Sequence, residues 1–81
     1  MKVYDLLSFK GQIVVCGISL WIDNIKHHKN QVLTCGEKQW KIIDFSRMHP
    51  GCFAEPKERR HMLIVEPIKH NTYPIKGDIL V

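Results

Sequence analysis

The sequence lacks a long hydrophobic run, which excludes a membrane-spanning helix. The stretch 11–22 is uncharged but has only 12 residues, whereas a helix that crosses a bilayer needs about 20. The chain begins Met-Lys-Val-Tyr-Asp, and its early acidic residue and missing small-residue cleavage site are unlike a secretory signal. We therefore predict a cytoplasmic protein without membrane contact.

Cysteine is scarce, and its spacing excludes a disulfide scaffold. The three cysteines form an odd set without a C-x-x-C pair, so neither a disulfide framework nor a zinc ribbon is indicated. We expect reduced thiols. Cys16 lies in an apolar run and is predicted to be a core residue, because free cysteine is among the most buried residue types.

Five histidines raise the question of a metal site. The neighbours His27 and His28 would point to opposite faces of an extended segment, and His49 with Cys52 supplies two of the four ligands of a structural zinc site. We interpret the histidines as surface residues and predict no metal and no other cofactor. The alternative is a zinc ion bound by His49 and Cys52 with help from His61 or Cys35.

Motifs that carry enzyme chemistry are absent as well. The five glycines stand at positions 11, 17, 36, 51 and 77, too scattered for a glycine-rich loop that cradles phosphates. Ser8, Ser19 and Ser46 have no nucleophile-elbow context. The sequence therefore predicts a protein that is not an enzyme.

What the sequence does contain is the pattern of a small β protein. Apolar residues make up 44% of its 81 residues and charged residues 25%, the balance of one globular domain. Segments rich in β-branched and aromatic residues alternate with glycine, proline and asparagine, and none keeps helical spacing over three turns. They predict six strands, at about residues 3–9, 12–22, 31–34, 39–45, 61–68 and 79–81.

Details within these segments predict the shape of the sheet. In the second strand, alternation places Val15, Gly17 and Trp21 on one face, and Gly17 marks a bulge or a bend. The fourth strand changes parity between Ile42 and Ile43, which indicates another bulge. Because closure removes exposed edges, we predict an all-β fold for the single domain 1–81. It is expected to be a small antiparallel β-barrel of about six short strands with one long irregular loop at 46–60.

Three stretches carry a resemblance to a known family. Gly11–Ile18 is an apolar strand with a glycine at each side, and Val32–Phe45 contains two strands around a glycine turn. Met62–Ile68 and Ile75–Leu80 form an apolar strand, a short connection and a final Gly-Asp strand. This order resembles the β-barrel second domain of elongation factor Tu and the related translational GTPases. The resemblance implies a small barrel, although Lys26–Asn30 lacks the family's usual Gly-Asp pair.

Positive charge is in excess, and its densest group is Lys57–His61. The net charge of +4 and the pI near 9.1 favour polyanionic partners. A solvated loop is the favoured interpretation of this group, and a phosphate-binding patch is the alternative. Aromatic rings beside basic residues bind single-stranded nucleic acid by stacking; for Trp21 and Trp40 core packing is favoured and stacking is the alternative. The candidate binding residues are Lys57, Arg59, Arg60, His61, Trp40 and Phe53.

Two functions follow from these features. The first is a non-catalytic binding module, a free-standing relative of the translation-factor barrel that contacts RNA or a protein partner through its long loop and basic turns. The second is a protein-interaction or assembly subunit, such as a homo-oligomer, with no nucleic-acid role. In that case Trp21 or Trp40, together with Phe53, forms an apolar docking patch.

Overall fold

The described part of the chain folds as one antiparallel sheet. The computed structural model describes residues 1–46, 57–69 and 71–81. Within them the strands are β1 (Lys2–Phe9), β2 (Gln12–Leu20), β3 (Val32–Cys35), β4 (Lys38–Phe45) and β5 (Glu58–Pro67). Their order is β1-β2-β5-β4-β3, which confirms the all-β prediction and places β5 at the centre. Nowhere in these ranges is there a helix long and apolar enough to cross a membrane.

Both hairpin turns use left-handed backbone conformations that the sequence supplies. Lys10 and Gly11 join β1 to β2 with φ angles of 50° and 77°, as expected of a two-residue turn that matches the twist of its strands. Gly36, at φ 61°, lies in the turn between β3 and β4. Glycine adopts this region without the steric cost that other residues incur.

Two strand boundaries differ from the sequence prediction. β2 ends at Leu20, and a 3₁₀ turn at Trp21–Asp23 replaces its predicted last residues. The turn closes at Asn24, whose N–H donates to the Trp21 carbonyl at 3.1 Å and whose φ is 49°. β5 begins at Glu58, because it pairs with β2 as far as Leu20. The solvated-loop interpretation is therefore wrong from Glu58 onward, and positions 47–56 of the predicted loop lie outside the described residues.

The bulge predicted in β4 is confirmed, and an irregularity of strand pairing also lies at Gly17, where a bulge or a bend is predicted. The register of β4 against β5 shifts between Ile42 and Asp44. Gly17 keeps regular pairing with β5, whereas the register of β1 against β2 shifts directly opposite it, between Val3 and Asp5. The Met1 side chain occupies the space that a Cβ atom at Gly17 would need. The glycine therefore lets Met1 pack directly against the β2 backbone.

The core lies on one face of the sheet. Its buried side chains include Val3, Val15, Leu33, Trp40, Ile42, Leu63, Val65 and Leu80. Val15 and Leu63 are direct partners across β2 and β5, so the core is centred on this strand pair. Cys16 is also fully buried, as predicted, and burial raises the pKa of its thiol.

The C-terminal residues hydrogen-bond to both edge strands of the sheet. At the β1 edge, the Gly77 N–H donates to the Val3 carbonyl at 2.8 Å, and the Val3 N–H donates to the Asp78 carbonyl at 2.9 Å. At the β3 edge, Thr34 and Val81 exchange two backbone hydrogen bonds of 2.8 and 3.0 Å. These bonds pair backbone groups that an edge strand would otherwise expose.

Strand pairing does not close the sheet. Besides the pairing of the five strands, the described residues form one isolated β-bridge, between Lys2 of β1 and Ile79. The predicted sixth strand and the predicted barrel therefore stay predictions. What the structure does show is that Leu80, between these hydrogen bonds, is 1% exposed and belongs to the core.

We expect truncation of Leu80 to destabilise the whole domain. Leu80→Ala removes a buried side chain and should lower the free energy of unfolding by about 2–5 kcal/mol. Ile79→Ala is the matched control, because the neighbouring side chain is 53% exposed and should change stability by less than about 0.5 kcal/mol. Urea unfolding measures both; equal effects of the two substitutions would contradict the described packing.

Candidate functional site

A cleft opens between the 3₁₀ turn, the loop that follows it and the first half of β5. Residues 21, 25–28, 45 and 58–63 line it, and its volume is about 700 Å³. Ligand-binding pockets have volumes of about 300–1,000 Å³. The cleft is therefore large enough for a planar group the size of a nucleobase with its neighbouring phosphate.

Backbone hydrogen bonds hold the two walls of the cleft together. The Trp21 N–H donates to the Lys57 carbonyl at 2.9 Å, which continues the pairing of β2 with β5 by one step. After the 3₁₀ turn, the Ile25 carbonyl accepts a hydrogen bond from Nη1 of Arg59 at 3.4 Å. The cleft thus exists because β2 stops at Leu20 while the chain stays attached to β5.

Trp21 and Arg59 form the most distinctive contact of the cleft. The Arg59 guanidinium carbon lies 4.1 Å from the centroid of the Trp21 ring, within cation–π distance. The Trp21 side chain nevertheless remains 53% exposed. Phe45, which is 39% exposed, adds a second aromatic ring to the lining. Together they offer accessible aromatic surface beside a fixed positive charge.

The charge of the cleft is mostly positive. Among its described lining residues, Lys26, Arg59 and Arg60 carry positive charge and Glu58 carries negative charge. A cleft lined by one sign of charge raises the local concentration of ligands of the opposite sign. The arrangement therefore favours an anionic ligand.

Two histidines and a serine form a polar cluster at the cleft wall. Ser19 Oγ and His61 Nε2 are 2.6 Å apart and share a hydrogen bond whose direction depends on the imidazole tautomer. The His27 and His61 rings pack edge to face with centroids 4.8 Å apart. Burial, together with His27, the terminal amine and Arg59, lowers the pKa of His61 to about 4. Burial also lowers the pKa of His27.

The interpretation of all histidines as surface residues is wrong for His27 and His61. Both rings are partly buried, and the two ring nitrogens of His27 are shielded from solvent without a hydrogen-bond partner among the described residues. A buried polar group without a partner costs about 1–3 kcal/mol. His28, in contrast, is exposed as predicted. The sequence carries no signal that separates these neighbours, because the difference arises from packing against β5.

The structure brings three of the predicted binding residues together. Arg59, Arg60 and His61 line the cleft, and the Arg60 guanidinium also lies 5.4 Å from the Tyr4 ring. Lys57 is exposed beside them and is joined to Trp21 through its carbonyl.

Of the two predicted aromatic binding residues, Trp40 does not line the cleft. Trp40 is fully buried, and its indole N–H donates to the Thr72 carbonyl at 2.8 Å. It is a core residue, which corrects its inclusion among the binding residues, and Trp21 provides the exposed ring instead. Phe53 lies outside the described residues.

One alternative predicted from the sequence is a zinc ion bound by His49 and Cys52 with help from His61 or Cys35. His49 and Cys52 lie outside the described residues. Cys16 and Cys35 are free thiols. Over the ranges that the structure describes, no three histidine, cysteine or acidic side chains cluster as metal ligands.

Comparison with known proteins gives no assignment: no family model, no curated protein and no solved structure matches this chain. Function is therefore argued from the chemistry of the cleft alone.

We expect the free energy of unfolding to decrease as pH is lowered, because the pKa of His61 is lower in the folded state than in the unfolded state. Between its ordinary pKa of about 6.5 and its folded pKa of about 4, the unfolded state binds a proton that the folded state excludes. The free energy of unfolding should therefore decrease as pH falls from about 6.5 to about 4, and above that window His61 should cause no change with pH.

Denaturant unfolding at several values between about pH 7 and pH 5 measures this decrease before most carboxylates titrate. His61→Gln should make the decrease smaller and leave the part that comes from His27, whose pKa is also lowered, whereas the control His28→Gln, at an exposed cleft position, should keep the full decrease. A parent-like decrease in His61→Gln would show that another group is responsible.

Proposed function

We propose that the protein is a non-catalytic, cytoplasmic binding module that binds single-stranded RNA in the cleft beside β5. The observation that carries the proposal is the exposed Trp21 ring, held against Arg59 in a cleft of mostly positive charge. Proteins that bind single strands combine a positively charged groove with aromatic side chains on which bases stack. The cleft has both parts.

The position of Trp21 suits stacking. One side of the ring faces the Arg59 guanidinium, which keeps the indole in place while more than half of the side chain remains accessible. A base on the accessible surface would bring its phosphates close to Lys26, which lines the same cleft. We propose stacking as the source of affinity and Lys26 as a phosphate contact.

The absence of catalysis is part of the proposal. Ser19 and His61 resemble a nucleophile with its base, but Ser19 is only 6% exposed. A pKa of about 4 also makes His61 a weak proton acceptor near neutral pH. Both observations favour a binding role for the cleft.

We further propose that the domain is a small β-barrel related to the second domain of the translational GTPases. The hydrogen bonds of Gly77–Val81 to the two edge strands support this, because a short sixth strand at this place would join β1 to β3. The basic cleft would then lie at the end of the barrel where β2 leaves its pairing with β5.

Binding to a fluorescently labelled single-stranded RNA of mixed sequence tests the proposal. Trp21→Ala should weaken binding by about 1–3 kcal/mol, or about 5- to 150-fold, because one stacking surface is lost. The matched control is Ile22→Ala, since Ile22 is the next residue, is 87% exposed and does not line the cleft. No binding at low salt, or equal loss in both variants, would overturn the proposal.

Salt dependence tests the phosphate contacts separately. Affinity should fall as salt rises, and Lys26→Ala should reduce the slope of log affinity against log salt by about 0.7 if one phosphate contact is lost. The control Lys69→Ala removes an exposed lysine that does not line the cleft and should leave the slope unchanged. Salt-independent binding would exclude the electrostatic part of the account.

Self-association is a second candidate function, favoured by a different observation. Leu20, Trp21 and Ile22 are consecutive, apolar and 49%, 53% and 87% exposed. Consecutive exposed apolar side chains are typical of interaction surfaces. In this alternative the same turn would contact a second copy of the chain.

Sedimentation over a range of protein concentrations separates the two candidates. A self-associating chain should become monomeric in Ile22→Asp, because burial of the new carboxylate would oppose the contact. Lys26→Ala should have no such effect. If the parent chain stays monomeric at every concentration, the assembly function is excluded and the RNA proposal is unaffected.

A further inference from the structure

The partly buried histidine pair carries an inference that does not depend on RNA binding. Both ring nitrogens of His27 are shielded from solvent, and neither has a hydrogen-bond partner in the part of the chain that the structure describes. Buried polar atoms are nearly always paired with protein or ordered water. An exception beside a second imidazole suggests a ligand that binds imidazole nitrogen.

The separation of the two rings fits a shared metal ion. A metal ion lies about 2.1 Å from a histidine nitrogen and therefore about 3.2 Å from the ring centroid. Two imidazoles on one ion have centroids about 4.5 Å apart at a right angle and about 5.2 Å apart at the tetrahedral angle. The observed distance between His27 and His61 is 4.8 Å. Their interplanar angle of 87° is compatible, because each ring can rotate about its metal–nitrogen bond.

Ser19 supplies the interaction that usually accompanies a histidine ligand. Metal-binding histidines almost always donate their second ring N–H to an oxygen, which fixes the tautomer and the ring orientation. Nε2 of His61 is 2.6 Å from Ser19 Oγ. In the tautomer with the proton on Nε2, this nitrogen donates to Ser19 and Nδ1 is left as the metal ligand.

We propose that His27 and His61 form a two-imidazole site for a first-row transition-metal dication such as Zn²⁺, with water completing the coordination. The enclosure of the His27 nitrogens favours a single ion over a phosphate or a base. Burial lowers the pKa of each ring, which favours the neutral form that metal ligation requires.

Nearby positive charge limits the affinity of this site. Lys26 and Arg59 line the same cleft, and their charge opposes a dication. Structural zinc sites also have four protein ligands, whereas this site has two. We therefore expect binding that is weaker than at a structural zinc site and that disappears at acidic pH as the imidazoles take up protons.

Titration of the untagged, reduced chain with Zn²⁺ at pH 7.5, followed by calorimetry, tests the proposal. One ion per chain is expected. His27→Gln and His61→Gln should each weaken binding by more than about 100-fold, and Ser19→Ala by about 10- to 100-fold, the usual effect of losing the hydrogen bond behind a histidine ligand. The control His28→Gln, at the exposed neighbouring position, should bind like the parent.

Nuclear magnetic resonance of the ring nitrogens tests the parent chain without any substitution. Zn²⁺ should shift the resonances of one His27 ring nitrogen and of His61 Nδ1 to the range of metal-bound nitrogen. The resonances of His28 should not change. The proposal is overturned if the parent binds no Zn²⁺, if binding survives in the His27 and His61 variants, or if the shifts appear only at other histidines.

Discussion

The hydrogen bonds of the C-terminal segment to both edges of the sheet are the constraint on which the rest of the structure depends. An 81-residue chain has a thin core, and each exposed edge strand would present unpaired backbone groups. Gly77–Val81 pairs with Val3 at one edge and with Thr34 at the other. Leu80 packs into the core between them. The same few residues therefore complete both the hydrogen bonding and the packing.

The cleft depends on the centre of this sheet. β5 lies between β2 and β4, and its pairing with β2 continues to Leu20 and Glu58. The chain then turns at Asn24 and returns to β5 through Ile25. Charged and aromatic side chains thus stand on a rigid strand end, which reduces the entropy lost when a ligand orders them.

Much of the fold could be predicted from local sequence, whereas the site could not. The alternation in β2, the Lys10–Gly11 turn and the parity change at Ile42 depend on neighbouring residues, and the structure agrees with each. The contact of Gly17 with Met1 could not be predicted, because it arises from tertiary packing. The cleft joins residues about 40 positions apart, such as Ser19 and His61. No local pattern distinguishes partly buried His27 from exposed His28.

Amide hydrogen exchange tests the central claim, that the C-terminal segment holds both edges of the sheet. The amides of Thr34 and Val81 at the β3 edge, and of Val3 and Leu80 at the β1 edge, are hydrogen-bonded across this segment. They should exchange as slowly as those of the β2–β5 pair, through global unfolding. Rapid exchange at Thr34 and Val81, with the β2–β5 amides still protected, would contradict the account.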